Sequence, residues 1–147
     1  MSKMAQHDLQ CPSCGHTTPT TVWESINVTV DPRLKEQLFA GRVNMFECAR
    51  CDNRTFVNAS LLYHDVTLRY CTYFFPRHAL DADDFYQKFN VDGSLAMHGA
   101  EAVLASMAGY LTQPHIVFDM HEMLRYVVFR DRLASSRTSS DEQGRPL

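Results

Sequence analysis

Two Cys-x2-Cys pairs constrain the fold of this chain more than any other feature of its sequence. The first pair lies in "CPSCG" near the N-terminus, and the second lies further along in "CARC". A Cys-x2-Cys turn places two sulfurs on one metal ion, and two such turns supply the four thiolates of a tetrahedral Zn²⁺ site. The spacing therefore predicts one zinc ion per chain, bound by Cys11, Cys14, Cys48 and Cys51.

Two other readings of the cysteine pattern stay open. "CPSC" has the Cys-Pro-x-Cys form of a redox dithiol, but such motifs lie between a strand and a helix, whereas the residues after Cys14 are polar and then of strand type. Iron is the second alternative, because a tetrahedral site of four sulfurs suits zinc or iron. Whether the metal is zinc or iron, four protein ligands leave no coordination position for water or substrate, so the pattern favours a structural metal.

The residues around the two pairs predict a zinc ribbon. "TTPTTVWESINVTVD" alternates as a β-strand does, and its apolar face comprises Val22, Ile26, Val28 and Val30. A short helix follows, for which Asp31 suits the N-cap, Pro32 the first helical position and Gly41 the stop. "RVNMFE" and "RTFV" predict a strand on each side of the second pair.

The rest of the chain predicts a mixed architecture. "LLYHDVTLRYCTYFF" indicates a hairpin whose second arm is a covered central strand, and "HIVF" indicates a short strand. Helices are predicted over 81–90, over 100–111, and from Met120 after an Asp119 cap. The predicted fold class is α+β, with an N-terminal zinc ribbon (antiparallel strands with an inserted short helix) elaborated by a β-hairpin and C-terminal helices. We expect one domain over 1–133, with the ribbon at about 8–58 and the α+β remainder at about 59–133, then a disordered polar tail over 134–147.

Charge argues against a nucleic-acid binder. The net charge is −3 at pH 7, and residues 1–60 contain six Lys or Arg against six acidic residues. Proteins that bind phosphate backbones usually carry a basic stripe, because counterion release supplies most of their affinity. No such stripe is visible in the sequence.

The sequence also lacks the marks of a membrane or exported protein. The longest apolar run is "YVVF", which is far too short to span a bilayer, and "MSKMAQHDLQ" has no apolar signal-peptide region. We therefore expect a cytoplasmic protein without membrane association, whose five cysteines stay reduced.

A few residues outside the cysteine pairs are candidates for function. Trp23 lies among Thr and Ser on the polar face of its predicted strand, where it is either an anchor for a partner or a lid over the neighbouring helix. His64 and Asp65, with Tyr63 beside them, are the one candidate acid–base group, although polar residues near a turn are common. Cys71 lies among aromatic residues and is expected to be a small buried side chain.

Two further histidines are weaker candidates. His16 could replace one sulfur, but four cysteines already complete the predicted site. "HEMLR" begins like the HExxH motif of zinc proteases, but Arg125 stands where the second histidine would have to be.

The chain resembles the CpXC domain, a bacterial and archaeal family named for its two cysteine pairs. The resemblance is carried by "CPSCG", "CARC", "SINVTVDPRLKEQLFAGRVNMFEC", "LLYHD" and "HIVFDMHEMLRYVVFRDRL". Two departures are Ala49 in place of proline in the second knuckle and a polar tail soon after Leu133. The resemblance implies a zinc ribbon elaborated by an α+β region in a bacterial cytoplasmic protein, and it implies no activity.

Three function hypotheses follow from these patterns. The leading one is a zinc-stabilised protein-interaction or regulatory module that binds a protein partner or a second copy of itself, with no evident catalytic site. The alternative is a nucleic-acid-binding zinc ribbon. The third is an enzyme with an unrecognised site near His64 and Asp65.

Overall fold

The computed structural model describes residues 2–96 and 109–142. Within these residues the chain forms a five-stranded sheet, a separate two-stranded sheet and helices, which confirms the mixed α and β class. The elements are, in chain order, β1 (Lys3–Gln10), β2 (Thr17–Asn27), α1 (Pro32–Phe39), β3 (Met45–Glu47), β4 (Arg54–Phe56), β5 (Leu61–Asp65), β6 (Tyr70–Phe74), 3-10 helices at Arg77–Asp81, Asp83–Lys88 and Gly109–Thr112, β7 (His115–Val117) and α2 (Met120–Glu142).

The first cysteine pair lies at the end of the β1–β2 hairpin. The two strands are antiparallel, with Gln10 opposite Thr17 next to the cysteine turn. The sequence analysis missed β1, because "KMAQHDLQ" is mostly polar and lacks the alternation of a half-buried strand. β1 is an edge strand with largely exposed side chains, so its pairing with β2 and not burial of its side chains holds it in place.

The second cysteine pair lies at the end of the β3–β4 hairpin, which forms its own two-stranded sheet. α1 precedes it and begins at Pro32, as predicted, although the Asp31 side chain makes no capping hydrogen bond and accepts one from Ser2 instead. Gly41 adopts φ of +72° just after the helix, which agrees with the predicted stop. One prediction was wrong here, because β2 ends at Asn27 and Val30 is exposed beyond it.

The large sheet has the strand order β1-β2-β5-β6-β7, in which the β2–β5 and β6–β7 pairs are parallel. The predicted hairpin is confirmed as β5 and β6, and β6 is a covered central strand between β5 and β7. Because β2 pairs with β5, the large sheet crosses the predicted boundary between the ribbon and the remainder near residue 58.

The main core lies between this sheet, α1 and α2. Met123 and Val127 of α2 are fully buried against it, and Asp119 caps the helix by accepting a 2.8 Å hydrogen bond from the His121 amide. The core residues that are buried include Ile26, Leu34, Leu38, Leu61, Tyr63, Tyr70, Phe74 and Val117. Val128, next to Val127 on the same helix, is partly exposed.

The later part of the chain differs from the predicted helices and tail. The segment predicted as a helix over 81–90 forms 3-10 helices, with residues 81–88 divided at Ala82. The helix predicted over 100–111 falls mostly outside the described residues. α2 continues to Glu142, so the first part of the expected disordered tail is helical, since no Gly or Pro interrupts the chain before Gly144.

Among the helices within residues 2–96 and 109–142, none combines the length and apolarity needed to cross a membrane.

Candidate functional site

The four paired cysteines converge at the ends of the two hairpins. The Sγ atoms of Cys11 and Cys51 lie 3.6 Å apart, those of Cys14 and Cys48 lie 3.5 Å apart, and all four sulfurs lie within 4.8 Å of one another. These distances are too long for disulfides, and all four thiols are free. Zn–S bonds of about 2.3 Å in a tetrahedron place the sulfurs about 3.8 Å apart, so the arrangement fits a metal ion bound by four thiolates.

Each cysteine turn also presents backbone amides to its first sulfur. The Ser13 amide lies 3.4 Å from Cys11 Sγ, and the Arg50 amide lies 3.4 Å from Cys48 Sγ. The turns are closed by a left-handed residue after each pair, Gly15 at φ of +77° and Asp52 at φ of +59°. The two halves of the site are therefore built in the same way.

These amides favour the thiolate form of Cys11 and Cys48, the first cysteine of each pair. The Cys14 amide, helped by that of Ser13, lowers the pKa of the Cys11 thiol to about 6 despite the cost of burying its charge. The Cys51 amide lowers the pKa of the Cys48 thiol in the same way. A thiol that is already ionised near neutral pH can bind a metal ion without first losing a proton.

A small apolar cluster lies beneath the cysteines. Cys11, Cys48 and Phe46 are buried together, with Leu9 and Val57 packed against them. Cys14 and Cys51 are exposed, so the site lies at the surface with one side covered. This cluster is separate from the main core and too small to hold the two hairpins together unaided, because it buries only a few side chains.

Asn44 provides a second link between the two hairpins. Its side-chain oxygen accepts a 2.7 Å hydrogen bond from the Trp23 amide, and its side-chain amide donates a 3.0 Å bond to the Trp23 carbonyl. Asn44 is buried and adopts φ of +54°, a left-handed conformation that asparagine tolerates better than most residues. The Asn44 side chain thus satisfies the backbone N–H and C=O of Trp23, as a neighbouring strand would. The sequence analysis missed Asn44, since nothing in its local pattern distinguishes it from a loop residue.

Trp23 lies in β2, at the position whose backbone is bound by Asn44. Its indole is half-buried and packs against the main core. Part of the indole is buried by this packing and the rest is exposed. The use of Trp23 as an anchor for a partner stays a prediction.

His64 and Asp65 make hydrogen bonds to different parts of the protein and not to each other. His64 Nε2 lies 2.6 Å from the Tyr110 hydroxyl, and burial lowers the pKa of its imidazole. Asp65 is buried and accepts a 2.8 Å hydrogen bond from the Leu68 amide, which closes the turn between β5 and β6. Both residues therefore have structural partners. Tyr63 points into the core, where burial raises the pKa of its hydroxyl far above the usual value.

The remaining sequence candidates are not members of the four-cysteine cluster. Cys71 is buried in β6, as expected, and burial raises the pKa of its thiol to about 12. His16 is exposed and is not among the four clustered ligands. In "HEMLR", Glu122 and Arg125 form an ion pair on the surface of α2.

An apolar cavity of about 550 Å³ lies next to the second hairpin. Met45 and Phe56 of that hairpin form one side, and the cavity extends to Leu38 of α1 and Leu124 of α2. Five polar side chains also line it, and these are Asn58, Arg77, His78, Asp119 and His121. The sequence showed no sign of this cavity, because its walls come from five separate segments.

Comparison with known proteins agrees with the cysteine geometry. No curated protein and no solved structure matches the chain significantly. The family model described as "CpXC protein" matches residues 9–138, which include both cysteine pairs and extend into α2. The match covers most of the chain, and this protein therefore belongs to the CpXC family.

Proposed function

We propose that the chain is a zinc-stabilised protein-interaction module. The observation that carries the proposal is the convergence of four cysteine sulfurs at the ends of two hairpins, one of which forms a wall of the apolar cavity. Zinc bound there joins the two hairpins and so sets the position of Met45 and Phe56. Metal binding and the shape of the cavity are then linked through the β3–β4 hairpin.

The donor set supports zinc in a structural role. Four thiolates complete a tetrahedral shell, so no coordination position is left for a substrate. Zn²⁺ with four thiolates has a net charge of −2, which repels phosphate and disfavours nucleic acid at the cysteine end of the molecule. Iron in a tetrahedral four-sulfur site is the competing metal, and metal analysis separates the two.

The cavity supports the binding part of the proposal. Its volume is within the range of ligand pockets, and its mainly apolar walls suit one or two large apolar side chains of a protein partner. Arg77 forms a 3.5 Å ion pair with Asp119, whereas no ion pair is formed by His78 or His121 within the described residues. We infer a partner segment with an apolar anchor flanked by polar residues.

A single domain is also part of the proposal. The β2–β5 pairing places the first cysteine hairpin in the same sheet as β6 and β7. We propose that residues 1–133 fold as one unit and that loss of metal loosens the β3–β4 hairpin more than it does the large sheet.

The test compares two Met→Glu variants in interaction assays with purified metal-loaded protein. Met45→Glu places a charge in the cavity, whereas Met4→Glu makes the same change on the exposed edge strand β1. We expect partners recovered by the wild type and Met4→Glu to be lost with Met45→Glu, and to be lost again when zinc is removed by a chelator. Partners that bind all forms equally would refute the cavity as the binding surface.

A further inference from the structure

A second pocket, of about 300 Å³, lies on the part of the large sheet far from β1. It is bounded by the β5–β6 turn, the segment leading into β7, and α2. The residues lining it are Arg69, Tyr70, Cys71, Tyr110, Gln113, Pro114, His115, Tyr126 and Arg130. None of these nine residues is acidic, and two are arginines, in a chain whose net charge is −3.

Arg69 stands at a backbone position that normally selects another residue type. It adopts φ of +55°, a left-handed conformation that glycine or asparagine adopts more readily than arginine. Its guanidinium lies 5.2 Å from the centre of the Tyr110 ring, and within the described residues it forms no hydrogen bond or ion pair. Arg69 is exposed, so its five N–H donors face the pocket or solvent.

Arg130 approaches the pocket from α2 and is held in place. Its guanidinium lies 4.2 Å from the centre of the Tyr70 ring and donates a 3.1 Å hydrogen bond to the Tyr126 hydroxyl. A longer contact of 3.5 Å reaches the Leu68 carbonyl in the β5–β6 turn. These contacts orient the guanidinium but use only part of its donor capacity.

His115 supplies a third nitrogen-bearing group. Its ring stacks on Tyr126 at a centroid distance of 3.8 Å, with 10° between the planes, and the residue is largely exposed. Tyr110, on the opposite side, is fixed by its hydrogen bond with His64 and by a contact between its carbonyl and the Cys71 thiol. Tyr110, His115 and Arg130 are therefore each held by contacts with neighbouring side chains.

Carboxylates near the pocket have partners of their own. Asp65, which interacts electrostatically with Tyr70 and Tyr110, accepts a hydrogen bond from the Leu68 amide. Asp131, which follows Arg130, forms a 2.7 Å ion pair with Lys35, and Glu122 pairs with Arg125. No lining residue neutralises the two arginines. A pocket with two incompletely used guanidiniums and no acid attracts an anion.

We propose that this pocket binds the phosphate group of a small phosphomonoester. Arg69, Arg130 and His115 come from three separate elements, so their donors approach a ligand from different directions. A tetrahedral phosphate accepts hydrogen bonds from several directions, whereas the two oxygens of a carboxylate are satisfied by one guanidinium fork. The volume leaves room for a compact ester group as well as the phosphate.

The test is a titration of ¹⁵N-labelled, zinc-loaded protein followed by NMR at constant ionic strength. The probes are glycerol 3-phosphate, inorganic phosphate and succinate. We expect saturable shifts with glycerol 3-phosphate at low millimolar concentration or below, weaker binding of inorganic phosphate, and no saturation with succinate up to about 20 mM. Inorganic phosphate binding as tightly as the ester would show that the site recognises free phosphate and would overturn the ester assignment.

Two variants and a control make the result specific. Arg69→Gly removes the guanidinium while supplying the residue that its left-handed backbone favours, so we expect at least a tenfold loss of affinity with an unchanged or higher melting temperature. Arg130→Gln should weaken binding similarly. Arg132→Ala makes the same change in net charge on the exposed surface of α2 and should alter the affinity less than twofold.

Three outcomes would overturn the proposal. They are unsaturable binding of both phosphate probes, wild-type affinity in Arg69→Gly, and equal binding of succinate. Arg69-dependent binding of a single-stranded oligonucleotide without saturable binding of glycerol 3-phosphate would assign the pocket to a polymer instead. None of these outcomes depends on the zinc-linked cavity, which lies elsewhere on the molecule.

Discussion

Asn44 links the two cysteine hairpins, and its replacement by alanine tests whether that link stabilises the protein. The substitution removes both hydrogen bonds to the backbone of Trp23, at 2.7 and 3.0 Å. An unpaired buried backbone group costs about 1–3 kcal/mol, and because Trp23 is half-exposed we take about 1.5 kcal/mol for each of the two groups, or about 3 kcal/mol together. Alanine at φ of +54° adds about 1 kcal/mol.

We therefore expect Asn44→Ala to lower the free energy of unfolding by about 4 kcal/mol. Asn44→Gly loses the same hydrogen bonds but adopts the left-handed backbone readily, so its loss should be nearer 3 kcal/mol. Asn58→Ala is the matched control, because Asn58 is an exposed asparagine further along the chain without a described hydrogen bond, and we expect a change within about 0.5 kcal/mol.

The assay is urea unfolding at a fixed free zinc concentration, since a bound metal shifts apparent stability. Fluorescence of Trp23, the one tryptophan of the chain, reports on the strand that Asn44 holds. A loss below about 1 kcal/mol in Asn44→Ala would refute the reasoning, because water or a backbone shift would then be replacing both hydrogen bonds.

Three further predictions concern the metal and Trp23. Metal analysis should find one zinc per chain in the wild type and in Cys71→Ser, whose thiol lies outside the cluster; loss of zinc in that control, or a stoichiometry well below one, would contradict the four-thiolate site. Cys48→Ser should abolish tight zinc binding and unfold the β3–β4 hairpin, because structural zinc contributes on the order of 10 kcal/mol of apparent binding free energy; unchanged cooperative melting in excess chelator would argue against this. Trp23→Ala should lower the free energy of unfolding by about 2–3 kcal/mol, because the indole packs on the core, as urea unfolding followed by circular dichroism can measure; unchanged stability with weakened self-association in ultracentrifugation would instead identify Trp23 as an anchor.

Much of the cysteine-bearing half could be predicted from the sequence because its signals are local. A Cys-x2-Cys turn needs only a few consecutive residues, and the left-handed positions that close the two turns carry Gly15 and Asp52, residue types that adopt this backbone readily. The limits of α1 followed from Pro32 and Gly41 for the same reason. Two cysteine pairs in one short chain leave few ways to satisfy a four-ligand metal, so their convergence was also predictable.

Local signals failed where long-range pairing decides the structure. β1 is polar and forms a strand because β2 provides hydrogen-bond partners for its backbone. Val30 is exposed because β2 ends before it, at Asn27. The end of α2 was misjudged because polar residues without Gly or Pro are compatible with either a helix or a disordered tail.

The sequence by itself determined which four cysteines could form a metal site and where most strands lie along the chain, since both depend on residue type and short spacing. Only the tertiary structure decided that Asn44 binds the backbone of Trp23, that five segments enclose an apolar cavity, and that Arg69 and Arg130 share a pocket without an acid. The physical reason is that these arrangements join residues far apart in the chain. Their geometry depends on how the sheet, the hairpins and α2 pack, which no local pattern encodes.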